Sequence, residues 1–167
     1  HECSSAASDV YKRQGKNRML TLNYQIEVAT TPETIWKVLT EVELYSQWAR
    51  VFSPQSQFEG EWLEGSNVSF FDPELGGTRA IVDRIEKHKV IEYHHIAIFN
   101  PDHIQDIDSD SAKKWIGSKE SYQIMPLENS VLLKVTIETH PDFVSMFNSG
   151  WEKALPLIKV ICEQQGS

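Results

Sequence analysis

The sequence predicts an α+β domain in which a curved antiparallel sheet lies against one long C-terminal helix. Three observations carry that expectation. Val131–Thr139 alternates strictly, with Val131, Leu133, Val135 and Ile137 on one face and Lys134, Thr136 and Glu138 on the other. The chain then passes through His140-Pro141-Asp142 into an amphipathic stretch ending near Glu163. There Phe143, Phe147, Gly150, Ala154, Leu157, Ile158 and Ile161 recur at helical spacing, Trp151 lies at the edge, and Ser145, Glu152, Lys159 and Glu163 lie opposite. Upstream, strand patterns follow one another in a run, and segregated strands and helices mark the α+β class.

Taken in order, Leu20, Leu22, Tyr24, Ile26 and Val28 alternate with polar residues and predict a half-buried antiparallel strand. Thr31-Pro32-Glu33 supplies a helix start: a Thr N-cap, proline at the first helical position and an acid favoured by the helix dipole. Ile35, Trp36, Val38, Leu39 and Val42 form the buried side of that helix, and a second short helix is expected over Glu43 to Trp48, before Ser53-Pro54. Strands are expected at Gln57 to Trp62, Asn67 to Phe71, Thr78 to Glu86 and Val90 to Phe99, with Asp72 to Gly77 as a turn. A polar segment through Lys114 reads as a solvated loop. Lys119 to Pro126 is a strand, joined to Val131–Thr139 by Leu127-Glu128-Asn129-Ser130. Pro156 and Glu152 share the solvent side of the long helix, so water can satisfy the carbonyl that the proline leaves without a donor.

Length and charge narrow the function classes. At 167 residues the chain is one ordinary domain, able to bury a core without disulfides or a structural metal. Cys3 and Cys162 are far apart, and no apolar run approaches a membrane span or signal peptide, which fits a reducing, cytoplasmic setting. A net charge of −8 disfavours a nucleic-acid partner. The stretch His1 to Gln14, HECSSAASDVYKRQ, has no periodicity and reads as a translated adaptor or assembly scar. Residues 1–18 are therefore expected to be non-native or disordered, with a single domain over 19–167. Setting them aside leaves 12 basic against 22 acidic residues, a net charge of −10.

Several motifs carry a family resemblance. Thr31-Pro32-Glu33-Thr34-Ile35-Trp36, Tyr45-Ser46-Gln47-Trp48, Phe58-Glu59-Gly60, Gly65-Ser66-Asn67-Val68 and Gly150-Trp151-Glu152-Lys153-Ala154-Leu155 resemble the START-like (SRPBCC) superfamily. The nearest likeness within it is to the branch homologous to the activator of the Hsp90 ATPase. The resemblance spans roughly Leu20 to Glu163 and implies the helix-grip fold. Relatives include lipid carriers, hormone receptors, polyketide cyclases and pollen allergens, so it implies no single activity. The branch name implies a chaperone-linked interaction module, although the chain lacks the additional domain that the eukaryotic cochaperones carry.

The residues themselves give little support for catalysis. His94 and His95 are adjacent on a strand and must point to opposite faces, so they do not chelate one metal together; which of them faces inward is open. Asp106, Asp108 and Asp110 mimic the opening of a calcium loop, but Ser111 and Gly117 stand where glycine and an acid are required. Gly76-Gly77 lacks the context of a phosphate loop. Cys162 has no evident base partner, and no spacing singles out a carboxylate pair. No cofactor is expected.

The aromatic residues are the stronger lead. They either fill the core or line a cavity between sheet and helix, and the same residues serve both outcomes. The cavity reading takes Trp48, Phe58, Phe70, Phe143, Phe147 and Trp151 as walls, with Arg79, His94 or Tyr122 as a polar handle. A small hydrophobic or amphipathic ligand is then the expected partner. A protein-interaction module or homodimer is the alternative, and a cyclase or hydro-lyase would need an inward acid-base pair.

Overall fold

The alternating segments become the strands of one antiparallel sheet. The structure, a computed structural model, describes residues 18–165; the expectation for residues 1–17 lies outside them. The strands are β1 (Leu20–Val28), β2 (Gln57–Gly60), β3 (Asn67–Asp72), β4 (Gly76–Glu86), β5 (Val90–Phe99), β6 (Gln105–Asp106), β7 (Lys119–Pro126) and β8 (Val131–Thr139). Seven of them run in the order β1-β8-β7-β5-β4-β3-β2, and β6 adds to β5. The helices are α1 (Pro32–Thr40), α2 (Val42–Ala49), α3 (Asp110–Trp115) and α4 (Val144–Gln165), the last entered through a 3-10 turn at Pro141–Phe143.

The local signals act as their chemistry requires. The Thr31 hydroxyl accepts from Thr34 N at 3.3 Å and Pro32 opens α1. The Trp48 indole N–H donates to Val38 O at 2.9 Å and ties α2 to α1. Val131, Leu133, Val135 and Ile137 are at most 1 % exposed and face α4, whose Ala154, Ile158 and Cys162 are fully buried. Trp151, expected at the edge of that stripe, is 1 % exposed and central. Pro156 and Glu152 lie on the solvent side, as their spacing requires.

Three local expectations change. β2 stops at Gly60, whose φ of +127° turns the chain and sends Trp62 back onto the Phe58 and Phe70 rings. The hairpin turn falls at Asp72 to Leu75, so Gly76 and Gly77 open β4 instead of making the turn. The segment read as a solvated loop contains β6 and α3. Asp106 Oδ1 accepts from the backbone N–H of Asp108 and Ser109, each at 3.0 Å, and Ser109 Oγ then caps α3 through Ala112 N at 3.1 Å. The acidic triplet is thus turn chemistry, and among the described residues no cluster of His, Cys, Asp or Glu could hold a metal ion. Nor is any helix among them long and apolar enough to cross a membrane.

Two irregularities bend β4 against β5. The first pairs Arg79 with Ala97 but Ala80 with His95, leaving Ile96 as an extra residue on β5. Cross-strand partners share a face, so His95 lies inward with Ala80 whereas Ala97 lies outward with Arg79. The second falls between Val82 and Arg84. Irregularities of this kind sharpen the local twist of a sheet.

Candidate functional site

A cavity of about 320 Å³ lies between the bent part of the sheet and the first turns of α4. α2 and the loop after it supply Tyr45, Trp48, Phe52, Ser53 and Ser56; α4 supplies Met146, Phe147 and Trp151. The sheet supplies Phe70, Thr78, Tyr93, His95, Glu120 and Tyr122, and Trp115 comes from the end of α3. Met146, 42 % exposed, marks the rim. The rings brace one another: Trp115 stacks on Phe147 with centroids 5.8 Å apart, and Phe70 stacks on Tyr93 at 4.9 Å.

Two glycines permit this enclosure. Gly76 adopts φ +89°, where a side chain would also meet the backbone around Phe99 and Asn100. Gly150 receives the Phe52 ring against the α4 backbone, in the space a Cβ would occupy.

A chain of hydrogen bonds crosses the polar wall. The Trp115 indole N–H donates to Thr78 Oγ1 at 2.7 Å; Thr78 Oγ1 lies 2.8 Å from His95 Nδ1; His95 Nε2 lies 2.6 Å from Glu120 Oε2. His95 is 1 % exposed and the Glu120 side chain 11 %. Thr78 has a single hydroxyl proton and two acceptors in reach, His95 Nδ1 and the Ala97 carbonyl at 3.1 Å. Assigning it to the shorter contact makes His95 the Nε2–H tautomer, and every donor then points along the chain toward Glu120. Assigning it to Ala97 makes Nδ1–H a donor, and either His95 is doubly protonated or Glu120 carries the shared proton.

The second Glu120 oxygen is loosely held. Tyr122 donates to Oε1 at 3.4 Å, and the Tyr93 and Tyr122 hydroxyls are 3.4 Å apart. Burial raises the ionisation of Tyr45, Tyr93 and Tyr122 above the ordinary phenol range, and the Glu120 charge adds to it, so these hydroxyls stay protonated. Trp151 contributes a buried indole N–H with no hydrogen-bond partner among the described residues.

Of the nine residues expected from sequence to form a site, Trp48, Phe70, Tyr122, Phe147 and Trp151 line the cavity. His94 lies on the opposite face of the sheet with Asp83 at 2.9 Å, because His95 is paired with the buried Ala80 on the inner face and alternation sends its neighbour outward. Arg79 also lies on that outer face, donating to Gln105 Oε1 at 2.6 Å and covering the Phe99 ring. Phe58 packs with Val68 and Val82 in a separate cluster, and Phe143 sits edge-on to Trp115 behind the wall. Sequence reading missed Thr78 and Glu120. Glu120 did leave a sign, an acid on the inward side of an otherwise alternating strand.

The sheet, the long helix and the cavity between them define a protein of helix-grip architecture, as the START-like resemblance implied. Solved structures show the same fold. The Aha1 dimer from Colwellia psychrerythraea aligns with a TM-score of 0.66 at 21 % identity, covering 87 % of this chain and 97 % of that one. Protein MLL2253 from Mesorhizobium loti gives 0.67 at 14 % identity, over 87 % and 98 % of the two chains. CalU16 from Micromonospora echinospora gives 0.63 at 12 % identity, over 88 % and 78 %. No protein-family model and no curated sequence matches the chain.

Proposed function

We propose that the protein binds a small amphipathic molecule in the cavity between the sheet and α4. The cavity itself carries this reading. Its volume, about 320 Å³, is at the small end of the roughly 300–1,000 Å³ typical of ligand sites and about twice the roughly 150 Å³ that admits benzene. That favours an occupant of one or two fused rings over a long acyl chain. Predominantly aromatic walls and a few convergent polar groups, Glu120 and Tyr122 among them, are the composition such sites require.

Native mass spectrometry of the purified protein, followed by denaturing extraction, tests it. A retained small molecule at stoichiometric ratio supports the reading and names the ligand class. An apo mass that stays apo against a library of mono- and bicyclic aromatics at millimolar concentration overturns it.

A second reading is a protein-interaction module, favoured by the dimeric state in which the Colwellia psychrerythraea neighbour was solved. Light scattering across micromolar concentrations tests it: a concentration-dependent dimer supports association between copies, and a monomer throughout removes that support.

A further inference from the structure

We propose that the cavity selects aromatic molecules bearing a positively charged amine, the ammonium seated on Glu120 Oε1 beside the Tyr93 and Tyr122 hydroxyls. The proposal rests on the ligand-binding reading above and specifies its charge. Two carboxylates, Glu120 and Asp72, line the cavity, and no lysine or arginine does so among the described residues. Asp72 is already committed: its two oxygens accept the backbone N–H groups of Glu74 and Gln55, each at 2.9 Å. Glu120 is not. Its Oε2 is held tightly by His95, while Oε1 has only the long Tyr122 contact.

Placing the Thr78 proton on the shorter of its two contacts sets the sign of the ligand. With Thr78 donating to Nδ1, His95 is a neutral imidazole that orients Glu120 without cancelling its charge. The nearby bases cannot do so either. Arg79 is engaged on the outer face with Gln105, and Lys119 pairs in register with the outward His94. A buried carboxylate without a countercharge is costly, and a cation arriving with the ligand relieves that cost. The surrounding rings add to the same preference, because aromatic faces attract a desolvated cation. An anionic ligand would meet the Glu120 charge at close range.

Calorimetric titration of the full chain with three indoles of matched shape tests the charge separately from the cavity. The probes are tryptamine, tryptophol and indole-3-acetate. Tryptamine is expected to bind about tenfold or more tightly than tryptophol, with indole-3-acetate weakest, because a cation gains both the charged hydrogen bond and the ring contacts. Glu120→Gln, whose amide oxygen can still accept from His95 Nε2–H, should bring tryptamine down to the affinity of tryptophol. Equal binding of amine and alcohol, or tighter binding of the acid, overturns the charge proposal and leaves the cavity reading standing. Failure of all three to bind at millimolar concentration overturns the charge proposal, and the cavity reading falls with it only when the wider library of mono- and bicyclic aromatics fails as well. Should the variant not fold, the ranking on the unaltered protein still decides. Nitrogen-15 NMR of the His95 ring is an independent check: the Nε2–H tautomer supports the proposal, and a doubly protonated ring, which would supply the countercharge internally, overturns it.

Discussion

The two ends of α4 face the same sheet and build opposite interiors. Where α4 ends, Ile158, Ile161 and Cys162 pack with Val28, Ile35, Val38 and Leu133, at exposures of 0–5 %, as the aliphatic part of the core that Phe147 and Trp151 also enter, and Glu163 Oε2 closes the end by accepting from Ala29 N. Where α4 begins, Phe147 and Trp151 face rings and a polar chain, and about 320 Å³ stays open. Branched aliphatic side chains interdigitate to organic-crystal density. Flat rings braced against one another, glycines that offer no side chain, and a strand displaced by the Ile96 bulge do not close on one another. A cavity here results from side-chain shape and one extra residue, with no second domain required.

That contrast can be broken most directly by truncation at each end. Ile158→Ala should cost about 3–4 kcal/mol, as for a buried aliphatic side chain whose surroundings cannot collapse. Phe147→Ala removes more atoms yet should cost less, about 2 kcal/mol, because the ring already borders open space. Urea denaturation measures both, and a larger loss for Phe147 would mean that the aromatic end is as solid as the aliphatic one. Next in size, Thr78→Val should cost about 1–3 kcal/mol by leaving the Trp115 N–H and His95 Nδ1 unpaired. An unchanged melting temperature would show that the polar chain contributes nothing to stability.

Two smaller effects sharpen the aliphatic side. Burial, followed by the Glu163 charge, pushes the Cys162 thiol up to about 12. In the native protein at pH 8 it should resist iodoacetamide and react fully in guanidinium, with peptide mapping to assign the label; native labelling of Cys162 would show that this end opens readily. Lys159, at 2.8 Å, holds the half-buried Glu163 carboxyl below its ordinary value. A depressed carboxyl contributes stability that is present above its unfolded value and lost as pH falls through the folded one. Glu163→Gln should therefore lower the melting temperature slightly at pH 7, and the gap should narrow toward pH 3. A gap that widens in acid would contradict that linkage.

The aliphatic end was legible from sequence because period and burial coincide there. Val131, Leu133, Val135 and Ile137 alternate, and Ala154, Ile158 and Ile161 keep helical spacing, so each pattern names its own inner face. The aromatic end was half legible. Trp48, Phe70, Tyr122, Phe147 and Trp151 were readable as rings that converge. The polar wall was not, since it joins Thr78, His95, Trp115 and Glu120 from β4, β5, α3 and β7, and no local spacing records that meeting. His94 and His95 show the limit in miniature: alternation requires that they diverge, and only the sheet's neighbours decide which of them turns inward.

Antiparallel pairing of β1 with β8 places Leu20 opposite Thr139 and Val28 opposite Val131, so the first strand finds its partner only near the end of the chain. Contacts this distant in sequence are reached late and slow a fold's formation. During synthesis β1 has no ladder partner until β8 has been made, and its Leu22, Tyr24 and Ile26 face has no α4 to lie against. A newly made β1 thus has two unpaired edges open to off-pathway pairing; β8, once made, covers one of them along its whole length, and β1 remains the outer strand of the finished sheet.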